Sequence, residues 1–194
     1  MDIIFATQNA HKILEIQQIC PASIRIISLK ELNFTIPIPE TSPTIEANSL
    51  QKALFVFEHF KMPVLSEDTG LEVNALNGAP GVYTARYAGQ NSTDEQNIKK
   101  LLTALKNENN RKARFKTIIT YIDIQGNSRQ FEGICEGEIL PEKRGSDGFG
   151  YDPIFKPFGS SVSFAEMTLE QKNTFSHRVK AFRQFSDFIL TQIL

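Results

Sequence analysis

The chain has 194 residues, of which 41% are hydrophobic and 22% charged, with a net charge of −1. That length fits one domain, or one domain with a lobe, and the apolar fraction is enough for a sizeable core. The near-neutral balance excludes a global basic field for DNA or RNA, so a polyanionic ligand must be held by local charge, a metal or backbone amides.

Ile3-Ile4-Phe5-Ala6 is a short β-type run and predicts a buried strand. The opening Met1-Asp2-Ile3-Ile4-Phe5 contains an acid and no basic n-region, so no signal peptide is expected. Thr7-Gln8-Asn9 breaks the strand. Asn9 then caps a helix through about Ile19, with Ile13, Leu14, Ile16 and Ile19 as its apolar stripe. Pro21 ends that helix, and Ile24 to Ile27 predicts a second strand. Residues 29 to 44 carry Pro37, Pro39 and Pro43 and read as a loop. Ile45 to Phe60 predicts a helix with Ala53, Leu54, Phe57 and Phe60 on one face. Pro63 to Ser66 is strand-like and runs into Glu67-Asp68, and Leu71-Glu72-Val73 is a further short strand.

Residues 77 to 91 hold Gly78, Pro80, Gly81 and Gly89 and predict a shaped loop. Thr93 caps a helix through about Lys106, with Glu95 and Gln96 in its first turn. Ala113 to Ile124 and Ser128 to Cys135 are long β runs joined by Gln125-Gly126-Asn127, which predicts an antiparallel hairpin. Residues 141 to 153 form a glycine-rich loop. Thr168-Leu169-Glu170-Gln171 is a capping-box pattern, and Phe175, Val179, Phe182, Phe185, Ile189 and Ile193 mark a C-terminal helix with a wide apolar face. The order predicts an α/β fold in one domain over residues 1–194, with a mixed central sheet flanked by helices. No apolar stretch approaches the ~20 residues of a membrane helix, and the expected compartment is the cytoplasm. Cys20 and Cys135 lie far apart without metal-type spacing and are expected as buried free thiols.

Five segments have the residue types for chemistry. Thr7-Gln8-Asn9-Ala10-His11-Lys12 joins a strand to a helix, where amides and Lys12 suit an anion. Ser66-Glu67-Asp68-Thr69-Gly70 puts two acids just past an apolar strand, where open α/β sheets place ligands. Neighbours in a strand point to opposite faces, so Glu67 and Asp68 should not share one task. Glu40 lies in a Pro-rich loop, whereas Glu46 is an ordinary first-turn acid. In Gly148-Phe149-Gly150-Tyr151-Asp152 an aromatic ring can stack on a base while Asp152 accepts from a ring N–H or amine. Lys172 and Ser176 share a face if the helix is continuous, and His177 and Arg178 suit a phosphate or a base oxygen. His177 shows no triad pattern, and neither His11 nor His59 has metal spacing to it. Taken singly, each segment also reads as an ordinary turn, lid or solvated helix face.

Together and in this order, the segments resemble the inosine-triphosphate pyrophosphatase family, also called XTP/dITP diphosphatases. The resemblance runs from about Ile4 to Lys180. It rests on the five segments with Glu46-Ala47-Asn48, Lys52-Ala53, the run from Gly78 to Gly89, Pro153-Ile154-Phe155 and Ala165-Glu166-Met167. It implies hydrolysis of ITP, dITP and XTP to the monophosphate and pyrophosphate, with Mg²⁺ as cofactor, no nucleic acid or membrane partner, and a homodimer of elongated, two-lobed subunits. By position, Asp68 is the implied proton acceptor and, with Glu40, a metal ligand. Thr7, Gln8, Asn9, Ala10, His11 and Lys12 are the implied triphosphate loop. Thr69, Phe149, Gly150, Tyr151, Asp152, Lys172, His177 and Arg178 are implied nucleotide contacts. One departure stands out: the family usually has glycine where Gln8 stands. Either that turn is not left-handed here, or the phosphate loop is altered. A related pyrophosphatase of the septum-inhibitor superfamily and a nucleotide-binding regulator without catalysis are the competing readings.

Overall fold

A computed structural model describes residues 1–193, with side chains through residue 191. The strands are β1 (Asp2–Phe5), β2 (Arg25–Ser28), β3 (Val64–Val73), β4 (Pro80–Gly81), β5 (Lys112–Ile122), β6 (Ser128–Ile139) and β7 (Phe155–Pro157). The helices are α1 (Ala10–Ile19), α2 (Ile45–Phe60), α3 (Asp94–Ala104), α4 (Leu169–Phe175) and α5 (His177–Ile193). The sheet is mixed and seven-stranded, in the order β2-β1-β3-β5-β6-β7 with β4 on β3. β1 pairs parallel with both β2 and β3, whereas β4 and β7 add antiparallel to β3 and β6. This is the expected α/β class. Among the described residues no helix is long and apolar enough to cross a membrane.

The chain forms two compact units. The first takes Met1–Asp68, Thr117–Gly133 and the chain from Arg178 on; the second takes Thr69–Lys116 and Ile134–His177. In the first unit the strand alternation of β1 is read directly in the core. Ile3 and Phe5 pack with Ile16 of α1 and with Phe182 and Phe185 of α5. Ile4 and Ala6 pack with Ala53, Val56 and Phe57 of α2. The second unit has its own core, in which Leu71, Val73, Leu101, Phe115, Tyr151, Phe155 and Phe164 meet.

Several elements differ from the sequence expectation, each for a physical reason. The acidic segment is not a turn after a strand: β3 runs unbroken from Val64 to Val73. Its buried polar side chains stay in the sheet because they are partnered: the Ser66 hydroxyl donates to the carbonyl of Ser49 at 2.6 Å, Glu67 meets Arg178 and Asp68 meets Lys52. The buried face of α1 is rotated, with Leu14 56% exposed and Glu15 buried in its stead. A guanidinium opposite Glu15 makes that burial tolerable. On α2, Leu54 is exposed and the buried stripe is Ile45, Asn48, Ser49, Lys52, Ala53, Val56 and Phe57. β6 extends to Ile139, and β4 and β7 are short additions that hydrophobic periodicity does not mark. The C-terminal helical run is broken at Ser176, whose ψ of 125° is extended. The break lets Lys172 and Arg178, two buried cations six positions apart, reach different carboxylates. Neither cysteine is in a disulfide among the described residues; Cys135 is buried as expected and Cys20 is only half-buried. The apolar position expected at Ile193 lies outside the described side chains.

Candidate active site

The first unit carries a charged cluster on either side of β3. Side chains alternate along the strand, so Ser66 and Asp68 face α2 while Glu67 faces α1 and α5. On the α2 side, Lys52 is 4% exposed. Its Nζ donates to Asp68 at 2.7 Å and to Glu40 at 2.7 Å. The proline-rich segment before α2 thus delivers Glu40 to the same ammonium that holds Asp68. Burial pushes the Asp68 carboxyl above the usual carboxylate range, against the opposing pull of Lys52 and Lys12. Burial alone would lower the Lys52 ammonium, but Asp68 and Glu40 hold it above its ordinary value.

On the other side of β3, Glu67 is fully buried. Arg178 grips it with two parallel bonds, Nε to one oxygen at 2.6 Å and Nη2 to the other at 2.9 Å. The Nη1 of Arg178 also bonds Glu15 of α1. Lys12 stands 3.2 Å from Glu67. At the start of α1, the Asn9 side chain accepts the N–H groups of His11 at 2.9 Å and Lys12 at 3.2 Å, and the Asn9 N–H donates to Thr7 Oγ1. Two first-turn amides are therefore already capped. Among the described residues, the non-glycine positions with a left-handed backbone are Asn33, Lys61 and Asn77. Gln8 is not among them, so its turn needs no glycine.

The second unit holds the base-type residues. Asp152 opens a short 3₁₀ turn, and its Oδ2 accepts Lys172 Nζ at 2.7 Å and the Phe149 N–H at 3.0 Å. Lys172 also lies 5.1 Å over the Phe149 ring and 5.4 Å over that of Phe164. Gly148 has φ +80°, and a Cβ there would stand 2.2 Å from Asp152 Oδ2. That glycine is thus required both by its backbone and by the close approach of the carboxylate. His177 is buried, with its ring stacked on Phe115 at 4.8 Å. Of the two aromatic candidates, Phe149 is half-buried, whereas Tyr151 sits in the core. The Tyr151 hydroxyl donates to the carbonyl of Thr84 at 3.0 Å, and burial pushes its phenol up. Thr69 is the next residue of β3 after Asp68 and is half-buried.

The structure brings Glu40 and Asp68 together, and it gathers Phe149, Asp152 and Lys172. It sets Glu67 apart from Asp68, and it leaves Glu46 in the first turn of α2. Two residues of the first cluster were missed as site residues, Lys52 and Glu15. A lysine between Gln51 and Ala53 and a glutamate between Leu14 and Ile16 look like solvated helix positions. The available signal is that both fall on the buried stripe once the helix phase is known.

A profile of the Ham1 family matches residues 3–188. A protein of Christiangramia forsetii named dITP/XTP pyrophosphatase is 50% identical over 189 residues, which span 97% of this chain and 99% of that protein. A Porphyromonas gingivalis protein of the same name is 49% identical, over 97% of each chain. Among solved structures, the Staphylococcus aureus Ham1 protein superposes with a TM-score of 0.90 at 38% identity, covering 99% of this chain and all 100% of that one. A HAM1 protein from Coxiella burnetii gives a TM-score of 0.89 at 37% identity, with 99% of both chains covered. With nearly its whole length matched in sequence and in fold, the chain belongs to the Ham1 family.

Proposed function

We infer that this protein is a nucleoside-triphosphate pyrophosphatase that cleaves non-canonical purine nucleotides (ITP, dITP and XTP) to the monophosphate and pyrophosphate. The observation that carries this reading is the buried Asp68, held with Glu40 on one lysine ammonium. The substrate class is supported by relatives of that name that match along nearly the whole chain.

Asp68 is the residue that orients water, and takes its proton, for attack on the α-phosphorus. The α–β P–O bond breaks and pyrophosphate leaves. A carboxyl lifted by burial is a better base than an ordinary aspartate, provided it is ionised at the working pH. Lys52 keeps it charged and fixes its direction. Asp68 and Glu40 present hard carboxylate oxygens, and among the described residues no group of three acids, histidines or cysteines is arranged to hold a metal by itself. That donor set fits Mg²⁺, which takes one or two carboxylates and completes its shell with phosphate oxygens and water. A bound Mg²⁺ supplies neutralisation of the charge that builds on the pyrophosphate. Lys12 and the segment from Thr7 to His11 take the triphosphate. Phe149 stacks on the base, and Asp152, Lys172 and His177 surround its polar edge. Arg178, tied to Glu67 and Glu15, completes the nucleotide contacts and keeps Glu67 beside Lys12. Selection against adenine rests on the 6-oxo group of hypoxanthine and xanthine, because a buried donor facing the 6-amino group would lose its partner; guanine shares that oxygen, so rejection of GTP takes, in addition, surroundings hostile to its 2-amino group. The enzyme acts as a cytoplasmic homodimer.

A panel of ITP, dITP, XTP, GTP, dUTP and ATP tests the reading with Mg²⁺ present and after chelation. The expected result is turnover of the first three alone, with phosphate seen by malachite green only after inorganic pyrophosphatase is added. Asp68→Asn should abolish turnover while the fold persists. Orthophosphate as first product, or Asp68→Asn within tenfold of wild type (the ordinary range of general-base loss being ~10²–10⁴-fold), would sink it.

A further inference from the structure

The glycine-rich loop that carries Phe149 is tied to a helix that none of the five chemical segments includes. Asp94 is the first residue of α3. One of its carboxylate oxygens accepts the backbone N–H of Gly150 at 2.7 Å. The cap of α3 does not use that carboxylate. Thr93 accepts the N–H of Gln96, and the Gln96 side chain accepts the N–H of Thr93 at 2.8 Å. The next residue, Glu95, pairs with Lys143. The first turn of α3 therefore grips residues 143–150 at both ends.

The consequence falls on Phe149. Gly150 has φ +61°, a left-handed backbone, and its N–H points at the Asp94 carboxylate. The Phe149–Gly150 peptide is one rigid plane, so holding the Gly150 N–H orients the carbonyl of Phe149 as well. The N–H of Phe149 itself ends on Asp152 at 3.0 Å. Both peptide groups flanking Phe149 thus terminate on carboxylates, and only one of these carboxylates, that of Asp152, is shared with Lys172. The geometry points to Asp94 as a positioning residue for base recognition: it fixes the backbone after Phe149 so that the ring presents one face to a purine. This rests on the reading of Phe149 as the base contact.

The test pairs Asp94→Ala with Asp94→Asn, whose amide oxygen still accepts an N–H. Three quantities are measured: exchange of the Gly150 amide by NMR, KM and kcat for ITP, and ITP affinity by calorimetry in an Asp68→Asn background, where turnover plays no part. Asp94→Ala should speed Gly150 exchange and raise KM and the dissociation constant about tenfold, with kcat within about twofold, as expected when binding common to ground and transition states is lost. Asp94→Asn should recover most of this. Unchanged affinity in Asp94→Ala overturns the inference, as does a loss confined to kcat. Equal damage in Asp94→Asn also overturns it, since that marks a helix-dipole charge. If wild type binds ITP without cleaving it while Asp94→Ala weakens that binding, the functional reading fails and the role of Asp94 stands.

Discussion

The ammonium of Lys52 lies 2.7 Å from a carboxylate oxygen of Asp68, and the residues are 4% and 8% exposed. The pair sets a sign for titration. Burial raises the folded-state value of Asp68 above that of the unfolded chain. Its contribution to stability is therefore fullest at low pH and is lost as the pH rises through the window from the ordinary value to the raised one. In metal-free protein, the Asp68 carboxyl followed by carbon NMR should titrate above its ordinary 3.8. Lys52→Met removes the opposing cation and should move the midpoint higher still, taking the acid limb of kcat/KM with it. A midpoint that falls in Lys52→Met would contradict this electrostatic account.

Arg178 is 2% exposed and bonded to two buried carboxylates. Arg178→Ala leaves Glu67 and Glu15 charged and unmatched by the guanidinium. Removing one partner of a buried pair costs about 3–5 kcal/mol, and urea unfolding should show a loss of that size. Arg178→Lys should recover only part of it, because an ammonium cannot make the two parallel bonds to Glu67.

Gly148→Ala should act through Asp152. Its Cβ would meet Asp152 Oδ2 at 2.2 Å, and its φ of +80° disfavours any side chain. Displaced by about 1 Å, Asp152 loses its hold on Lys172 and the Phe149 N–H, and kcat/KM for ITP should fall about 100-fold. Steady-state kinetics beside a thermal melt separates this from unfolding.

Gln8→Gly should not improve the enzyme. Gln8 is not in the left-handed region, so glycine brings only extra freedom to the unfolded chain. Stability should drop by roughly 0.4–1 kcal/mol, and kcat/KM should not rise. A large gain in activity would mean that the loop turns left-handed when it binds.

Local patterns carried most of the fold. The caps at Asn9, Thr93 and Thr168 are local hydrogen bonds within three residues and were legible for that reason. So were α2, at Ile45–Phe60, and the paired runs of β5 and β6, whose periodicities are long and clear. The short β4 and β7 were not, because two or three residues hold no period.

For the site, the residues by themselves determined that two adjacent acids in an extended segment face opposite ways, since that follows from the pleat alone. They also determined which segments carry carboxylates, cations and glycines in an order typical of one family. Only the tertiary structure decided who partners whom. Asp68 meets Lys52, 16 positions away, and the same lysine holds Glu40, 12 positions away, while Glu67 meets Arg178, 111 positions away. Such pairings depend on helix phase and strand register, and no local pattern encodes which of several polar helix positions will be turned inward to balance a buried charge.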